Sequence, residues 1–213
     1  MNKLTGIAAS GISMVLALTL VGCGGQKAQD TSKSQEKPAE SAQKDTKKAA
    51  SLADWKGVWN SIDGYLDEKE LDATYEEVAK RDNKKPEDVK NEMKTKTAAE
   101  FKGIEVTEDS ITFLDGFKDK DGKEIAKSKY EFVEAKKVKH GGAELEWNIF
   151  KATDKDAKYP YMMLMGVHGE EELVHFHLRF GASVEEMEKK TDWYPTFVKP
   201  STTLDQIKGE IKE

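Results

Sequence analysis

The sequence predicts a mainly β fold with added helices, in which short antiparallel strands follow one another as a meander or a closed barrel. From residue 103 onward, short runs rich in β-forming residues alternate with turn signals such as 119–122 and 140–142. Residues 64–101 show helical periodicity instead, and Pro86 suits the first position of a helix. We therefore expect one folded domain, residues 51–213, that combines an antiparallel barrel with a helical segment.

The N-terminus has the features of a secretion signal, residues 1–22. Lys3 supplies a positive charge, and an uncharged stretch of apolar or small residues follows that is shorter than a typical membrane span. The residues Leu20-Val-Gly-Cys23 resemble a bacterial lipobox, in which the cysteine becomes the lipid-carrying N-terminus of the mature protein. The alternative is an unmodified cysteine at the end of a signal peptide. Cys23 is the only cysteine, which excludes an internal disulfide and a multi-thiolate metal site.

Residues 23–50 predict a disordered tether after the lipidated Cys23. This segment has no aromatic or branched aliphatic residue, so it cannot bury enough apolar surface to offset the entropy lost on ordering. A random coil of this length spans about 30 Å. We expect the folded domain to be extracytoplasmic and lipid-anchored, close to the cell membrane.

The charge balance excludes one class of partner. The net charge is −6 and the pI is about 5.5. A nucleic-acid-binding domain normally carries a basic surface, so we expect no nucleic-acid partner.

Two interpretations compete at the start of the domain. Gly57-x-Trp59 resembles the first strand of lipocalin-like (calycin) barrels, in which the tryptophan closes one end. However, Trp55, Val58, Trp59 and Ile62 also have the spacing of one helical face. Both interpretations place these residues in the core.

The remaining elements follow in order. Asp67 and Asp72 are candidate helix N-caps ahead of an apolar stripe at Tyr75, Val78 and Ala79, and a second helix runs from Pro86 to about Thr97. The predicted strands are 103–107, 110–114, 124–132, 143–152, 161–167 and 173–180. Ser183 can cap a short helix, residues 192–196 form an aromatic corner, and a closing helix starts at Ser201.

Three of the four histidines lie within ten residues. His175 and His177 are spaced i, i+2 in a predicted strand, so their rings share one face while Phe176, Leu178 and Phe180 line the other. If the loop after His168 has an even number of residues, His168 lies directly opposite His175 and Gly166 lies opposite His177. An odd-numbered loop would separate the rings.

Three convergent neutral imidazoles are a suitable site for a divalent transition metal, zinc above all. The alternative is a set of surface histidines at a sheet edge. His140, beside two glycines, is expected to be an exposed turn residue or an auxiliary ligand. Residues 119–122 resemble part of a calcium loop but lack the required acidic residues at its first and last positions, so we interpret them as a hairpin turn.

Several motifs together resemble the ZinT (YodA) family. They are Trp55-x-Gly57-x-Trp59-x-Ser61, Tyr75-Glu-Glu-Val-Ala-Lys, Ile111-Thr-Phe, His175-Phe-His177 followed by Gly181, and Trp193-Tyr-Pro-Thr196. The resemblance covers residues 52–212. It implies a calycin-like barrel with added helices and extracytoplasmic binding of zinc, in some members cadmium, through three histidines that map onto His168, His175 and His177.

The family also implies a partner, because the same domain is fused to some zinc-binding lipoproteins of zinc ABC importers. The chain departs from the family pattern in a shorter gap between its first two site histidines and in having no histidine-rich segment.

The leading hypothesis is therefore a lipid-anchored protein that captures zinc and supports its uptake by zinc ABC transporter components, without being an enzyme. Water, a partner's ligand or a carboxylate of Glu170, Glu171 or Glu172 would fill the fourth position. One alternative is a zinc-dependent hydrolase or lyase, since three histidines and a water also form a catalytic arrangement. The other is a lipocalin-like binder of small molecules with an incidental metal site.

Overall fold

The computed structural model describes residues 49–140, 142–169 and 173–213, which form a closed antiparallel barrel with added helices. The predicted signal, Cys23, most of the predicted tether and Glu170–Glu172 lie outside the described residues. The side chain of His140 is likewise not described. The predicted fold class is confirmed.

Eight strands pair in sequence order, and the last returns to the first. They are β1 (Gly57–Ser61), β2 (Gly103–Val106), β3 (Ser110–Leu114), β4 (Glu124–His140), β5 (Ala143–Ala152), β6 (Tyr161–Met165), β7 (His175–Gly181) and β8 (Thr196–Val198).

The strand interpretation of Gly57-x-Trp59 is correct and the helical one is wrong. Gly57 has φ of +138°, a backbone conformation that breaks a helix and favours glycine. A single 3₁₀ turn, Leu52–Trp55, precedes β1. The Trp59 indole donates to the Trp55 carbonyl across 2.8 Å and is almost fully buried. Both tryptophans thus belong to the core.

Sequence reasoning missed β8. The sequence predicts only a corner at residues 192–196, but Thr196–Val198 pairs with β1 on one side and β7 on the other. A strand of three residues that follows a proline gives no detectable alternation, and only its two partners define it. This strand closes the barrel.

The observed helices differ from the predicted ones mainly in the residues at which they begin. They are α1 (Asp72–Asp82), α2 (Pro86–Thr97), α3 (Val184–Glu188) and α4 (Leu204–Lys212). The two predicted aspartate caps are wrong: Leu71 precedes α1 and makes no side-chain cap. The Asp67 carboxylate instead lies 2.9 Å from Lys90 and 2.7 Å from Lys94 on α2. α4 begins after Thr203, which forms a capping box with Gln206.

Aromatic side chains fill the interior of the barrel. Phe101, which has no exposed surface, packs against Phe113, Tyr159, Phe180 and Phe197 with ring centroids 4.8 to 5.6 Å apart. The predicted inward residues of β7, namely Phe176, Leu178 and Phe180, belong to this same cluster. The outward residues of β7 therefore point away from the lumen. Among the described helices, none is both long and apolar enough to span a membrane.

Candidate metal centre

The three predicted histidines meet on the outer face of the barrel, where β6 and β7 are joined. His175 and His177 alternate with Phe176 and Leu178, whose side chains are in the core. The ring centroids are 4.2 Å apart for His168 and His175, 5.2 Å for His168 and His177, and 5.1 Å for His175 and His177. One potential ligand atom from each residue lies within 4.8 Å of the other two.

The predicted pairing of His168 with His175 is confirmed. An isolated antiparallel bridge joins them, and their backbones exchange two N–H···O=C bonds of 2.9 Å each. The intervening loop, Gly169–Val174, has the even length that this pairing requires.

The predicted position of Gly166 opposite His177 stays a prediction, and the register does not continue uniformly into β6, because one extra residue lies between Leu164 and His168. Leu164 pairs with Leu178, and the next pair is His168 with His175. Three residues therefore separate the two pairs on the first strand and two on the second. A strand that slips by one residue presents its other face, so the irregularity keeps Leu164 directed inward while it turns His168 outward. Leu164 and His168 are four positions apart, so in a regular strand both side chains would face the same side of the sheet.

Backbone carbonyls orient the first two imidazoles. The Nδ1 atom of His168 lies 2.8 Å from the carbonyl of Gly166, and Nδ1 of His175 lies 2.9 Å from the carbonyl of Leu173. A carbonyl can only accept, so Nδ1 of each neutral ring carries the hydrogen and Nε2 retains its lone pair. This is the usual support of a metal-binding histidine.

The His177 ring is largely enclosed by the protein. Burial lowers its pKa to about 3, and repulsion from protonated His175 and His168 and from the cations of Lys96 and Arg179 adds to the effect. His177 thus stays neutral at physiological pH, the state that binds a metal ion. Its Nδ1 lies 3.0 Å from the hydroxyl oxygen of Thr196 on β8.

Sequence reasoning gave no role in the site to Arg179, Tyr194 or Thr196, which surround this ring. Arg179 follows His177 by two residues on the same face and is almost fully buried, and its guanidinium donates to the carbonyls of Trp193 and Met187 at 3.0 Å each. The guanidinium lies 4.8 Å from the Tyr194 ring, which in turn lies 5.8 Å from His177. The i, i+2 spacing could have identified Arg179, whereas the position of Thr196 depends on β8.

The donor set fits a zinc ion. Ligand nitrogens of a tetrahedral zinc site with bonds of about 2.05 Å lie about 3.3 Å apart. The observed separations, all within 4.8 Å, need only modest side-chain rotation to reach that value. In the part of the chain that the structure describes, the cluster contains three histidines and no carboxylate. The candidate fourth ligands Glu170, Glu171 and Glu172 lie outside that part.

Comparison with known proteins agrees with this geometry. A family model described as ZinT (YodA), periplasmic lipocalin-like zinc-recruitment, matches residues 34–213. None of the curated proteins compared matches the chain.

Two solved structures from Streptococcus pneumoniae share the fold. The Zn(II)-bound ZinT-like domain of AdcA is 24% identical, covers 78% of this chain and 92% of its own, and superposes with a TM-score of 0.60. Zn(II)-bound AdcA is also 24% identical over 78% of this chain, with a TM-score of 0.62. This chain matches only 36% of that longer protein.

Proposed function

The chain belongs to the ZinT family, and we propose that it captures zinc outside the cytoplasm through His168, His175 and His177. The observation that carries the proposal is the convergence of these three rings on one face of the hairpin. The family description, zinc recruitment, supports it. So does the zinc ion bound by the ZinT-like domain of AdcA, which has the same fold.

We propose that the site releases zinc as well as binding it. Structural zinc sites are closed by four protein ligands, whereas three ligands leave a position for water or an incoming group. A ligand from a partner, or a carboxylate of Glu170–Glu172, would occupy that position. His168 is exposed, so zinc can reach the site from solvent without opening the barrel.

The setting is part of the same proposal. Residues 1–22 would direct export, lipid on Cys23 would anchor the protein, and residues 23–50 would connect the anchor to the domain at 51–213. Components of a zinc ABC transporter would receive the metal, as the family resemblance implies. Labelling cells with a fatty-acid analogue tests the anchor: the wild-type protein should take up label in the membrane fraction, and Cys23→Ser should lose it. Labelling of the variant would contradict the assignment.

A binding protein is a better account than the two alternatives. Hydrolysis needs a general base near the metal-bound water in addition to three ligands. The family description instead names recruitment. A small-molecule binder would need space in the lumen, which Phe101, Phe113 and the other buried aromatic residues fill. A hydrolase screen with added zinc should therefore show no turnover above the triple histidine variant.

Zinc titration tests the central proposal. The wild-type protein should bind zinc at about pH 7.5 and much more weakly at about pH 5.5, because protonated imidazoles cannot ligate. Replacing His168, His175 and His177 by alanine should abolish binding, whereas His140→Ala should not change it. Equal affinity at both pH values would contradict histidine ligation. Competition with cadmium at pH 7.5 tests whether the same site accepts that ion.

A further inference from the structure

The closing strand places a hydroxyl group behind one of the proposed zinc ligands. In the β7–β8 ladder, Thr196 is the direct partner of His177. Thr196 is fully buried, and its hydroxyl oxygen lies 3.0 Å from Nδ1 of His177. Water therefore does not compete for this contact.

The direction of that hydrogen bond follows from the second contact of the hydroxyl group. Thr196 donates its single hydrogen to the carbonyl oxygen of Tyr194, 2.9 Å away. It can then only accept from His177, which requires the hydrogen of the neutral imidazole to be on Nδ1. The lone pair consequently lies on Nε2.

Further hydrogen bonds fix the position of the hydroxyl group. The backbone N–H of Tyr194 donates to the carbonyl of Lys96 across 2.7 Å, near the end of α2. The neighbouring Trp193 indole donates to the carbonyl of Ala98 across 2.8 Å. The segment that carries Thr196 is thereby attached to the helical part of the domain.

We propose that Thr196 is a positioning residue for zinc binding, whose hydroxyl group holds His177 in the tautomer and orientation that present Nε2 to the metal. This inference rests on the proposed function. The other two rings depend on backbone carbonyls, which no substitution removes. Thr196 is thus the one support of the three whose hydrogen-bonding group a substitution can remove.

Three variants separate positioning from general packing. Thr196→Val keeps the shape of the side chain but cannot accept a hydrogen bond, and Thr196→Ser keeps the hydroxyl group. Thr97→Val is the matched control, since Thr97 is also fully buried but donates to the Met93 carbonyl, 2.8 Å away. Loss of an outer hydrogen bond to a metal ligand typically weakens metal binding about 10- to 100-fold. We expect that loss for Thr196→Val, and near wild-type zinc affinity for Thr196→Ser and Thr97→Val.

Nitrogen-15 NMR of the metal-free protein at about pH 7.5, where a histidine with an ordinary or lowered pKa is neutral, provides a second readout. His177 should carry its hydrogen on Nδ1 in the wild-type protein and in Thr196→Ser, and should redistribute toward Nε2 in Thr196→Val. This measurement does not depend on zinc. The positioning role can therefore fail while zinc binding is confirmed, and zinc binding can fail while the tautomer of His177 is as expected. A wild-type His177 protonated on Nε2 would overturn the inference even if Thr196→Val did not fold. Unchanged affinity in Thr196→Val, or an equal loss in Thr97→Val, would also overturn it.

Discussion

His168 and His175 face each other across the end of the β6–β7 hairpin, with both backbone hydrogen bonds 2.9 Å long and ring centroids 4.2 Å apart. Two residues seven positions apart in the sequence thus become direct neighbours. Their rings project to the same side because the two residues are direct partners, and the extra residue between Leu164 and His168 lets this pair face outward while the Leu164–Leu178 pair faces inward. The backbone of this hairpin therefore sets the geometry of the proposed zinc site.

Removing the extra residue should leave His168 directed outward, because the hairpin would then be regular. Deletion of Gly166 would leave two residues on each strand between the Leu164–Leu178 and His168–His175 pairs, and regular alternation would then direct the first pair inward and the second outward, as in the wild-type protein. We expect zinc affinity, measured by titration calorimetry, to fall by no more than about 10- to 100-fold, as for the loss of an outer hydrogen bond, since the deletion removes the Gly166 carbonyl that orients His168. Gly166→Ala is the control, because a methyl group there meets nothing within 4 Å. Complete loss of zinc binding in the deletion variant, as in the triple histidine variant, would contradict the register explanation.

Gly169 should be essential to the orientation of His175. It has φ of +94°, and a Cβ there would lie 1.8 Å from the carbonyl oxygen of Leu173, the acceptor for Nδ1 of His175. Gly169→Ala should lower the free energy of unfolding by about 1–3 kcal/mol and weaken zinc binding about 10- to 100-fold.

Gly142→Ala is its matched control. Gly142 has a similar φ of +86° but open space around it. This variant should lose stability to backbone strain and keep its zinc affinity. If both variants bind zinc like the wild-type protein, the displacement of the Leu173 carbonyl is not important for binding.

The stability of the metal-free protein should fall as the pH falls from about 6.5 toward 3. In this window an unfolded chain binds a proton on His177, whose ordinary pKa is about 6.5, whereas the folded state does not, because its pKa is about 3. Between pH 7 and pH 5, this proton uptake stabilises the unfolded state relative to the folded state by about 2 kcal/mol. Urea denaturation of the wild-type protein and His177→Gln at both pH values measures this effect. From pH 7 to pH 5, His177→Gln should lose about 2 kcal/mol less stability than the wild-type protein. Equal losses in the two proteins would show that His177 titrates normally in the folded state.

Interior packing and zinc binding should be separable. Phe101→Ala removes a fully buried ring from the lumen and should lower the free energy of unfolding by about 3–5 kcal/mol. Zinc affinity at a temperature where the variant is folded should stay near the wild-type value, because the histidines lie on the outer face. Val133→Ala, at a side chain that is 51% exposed, should change stability by less than about 0.5 kcal/mol. A loss of zinc affinity in Phe101→Ala would show that the two faces of β7 are coupled.

The local pattern of residues determined much of this protein. Alternation along a strand has a period of two, so the sequence around His175 and His177 predicted which side chains face the core and which share the outer face. The length of the following loop predicted the partner of His168. Pro86 and the apolar stripe at Tyr75, Val78 and Ala79 similarly predicted two helices, because these signals act within a few residues.

Only the tertiary structure decided the features that depend on a distant partner. β8 is three residues long and exists as a strand because β1 and β7 pair with it, so neither its presence nor the contact of Thr196 with His177 could be predicted from local pattern. The extra residue of β6 likewise follows from two demands made at different places, the burial of Leu164 in the core and the outward direction of His168. Strand register is a property of the pair and of the face it buries, and a single segment of sequence does not contain it.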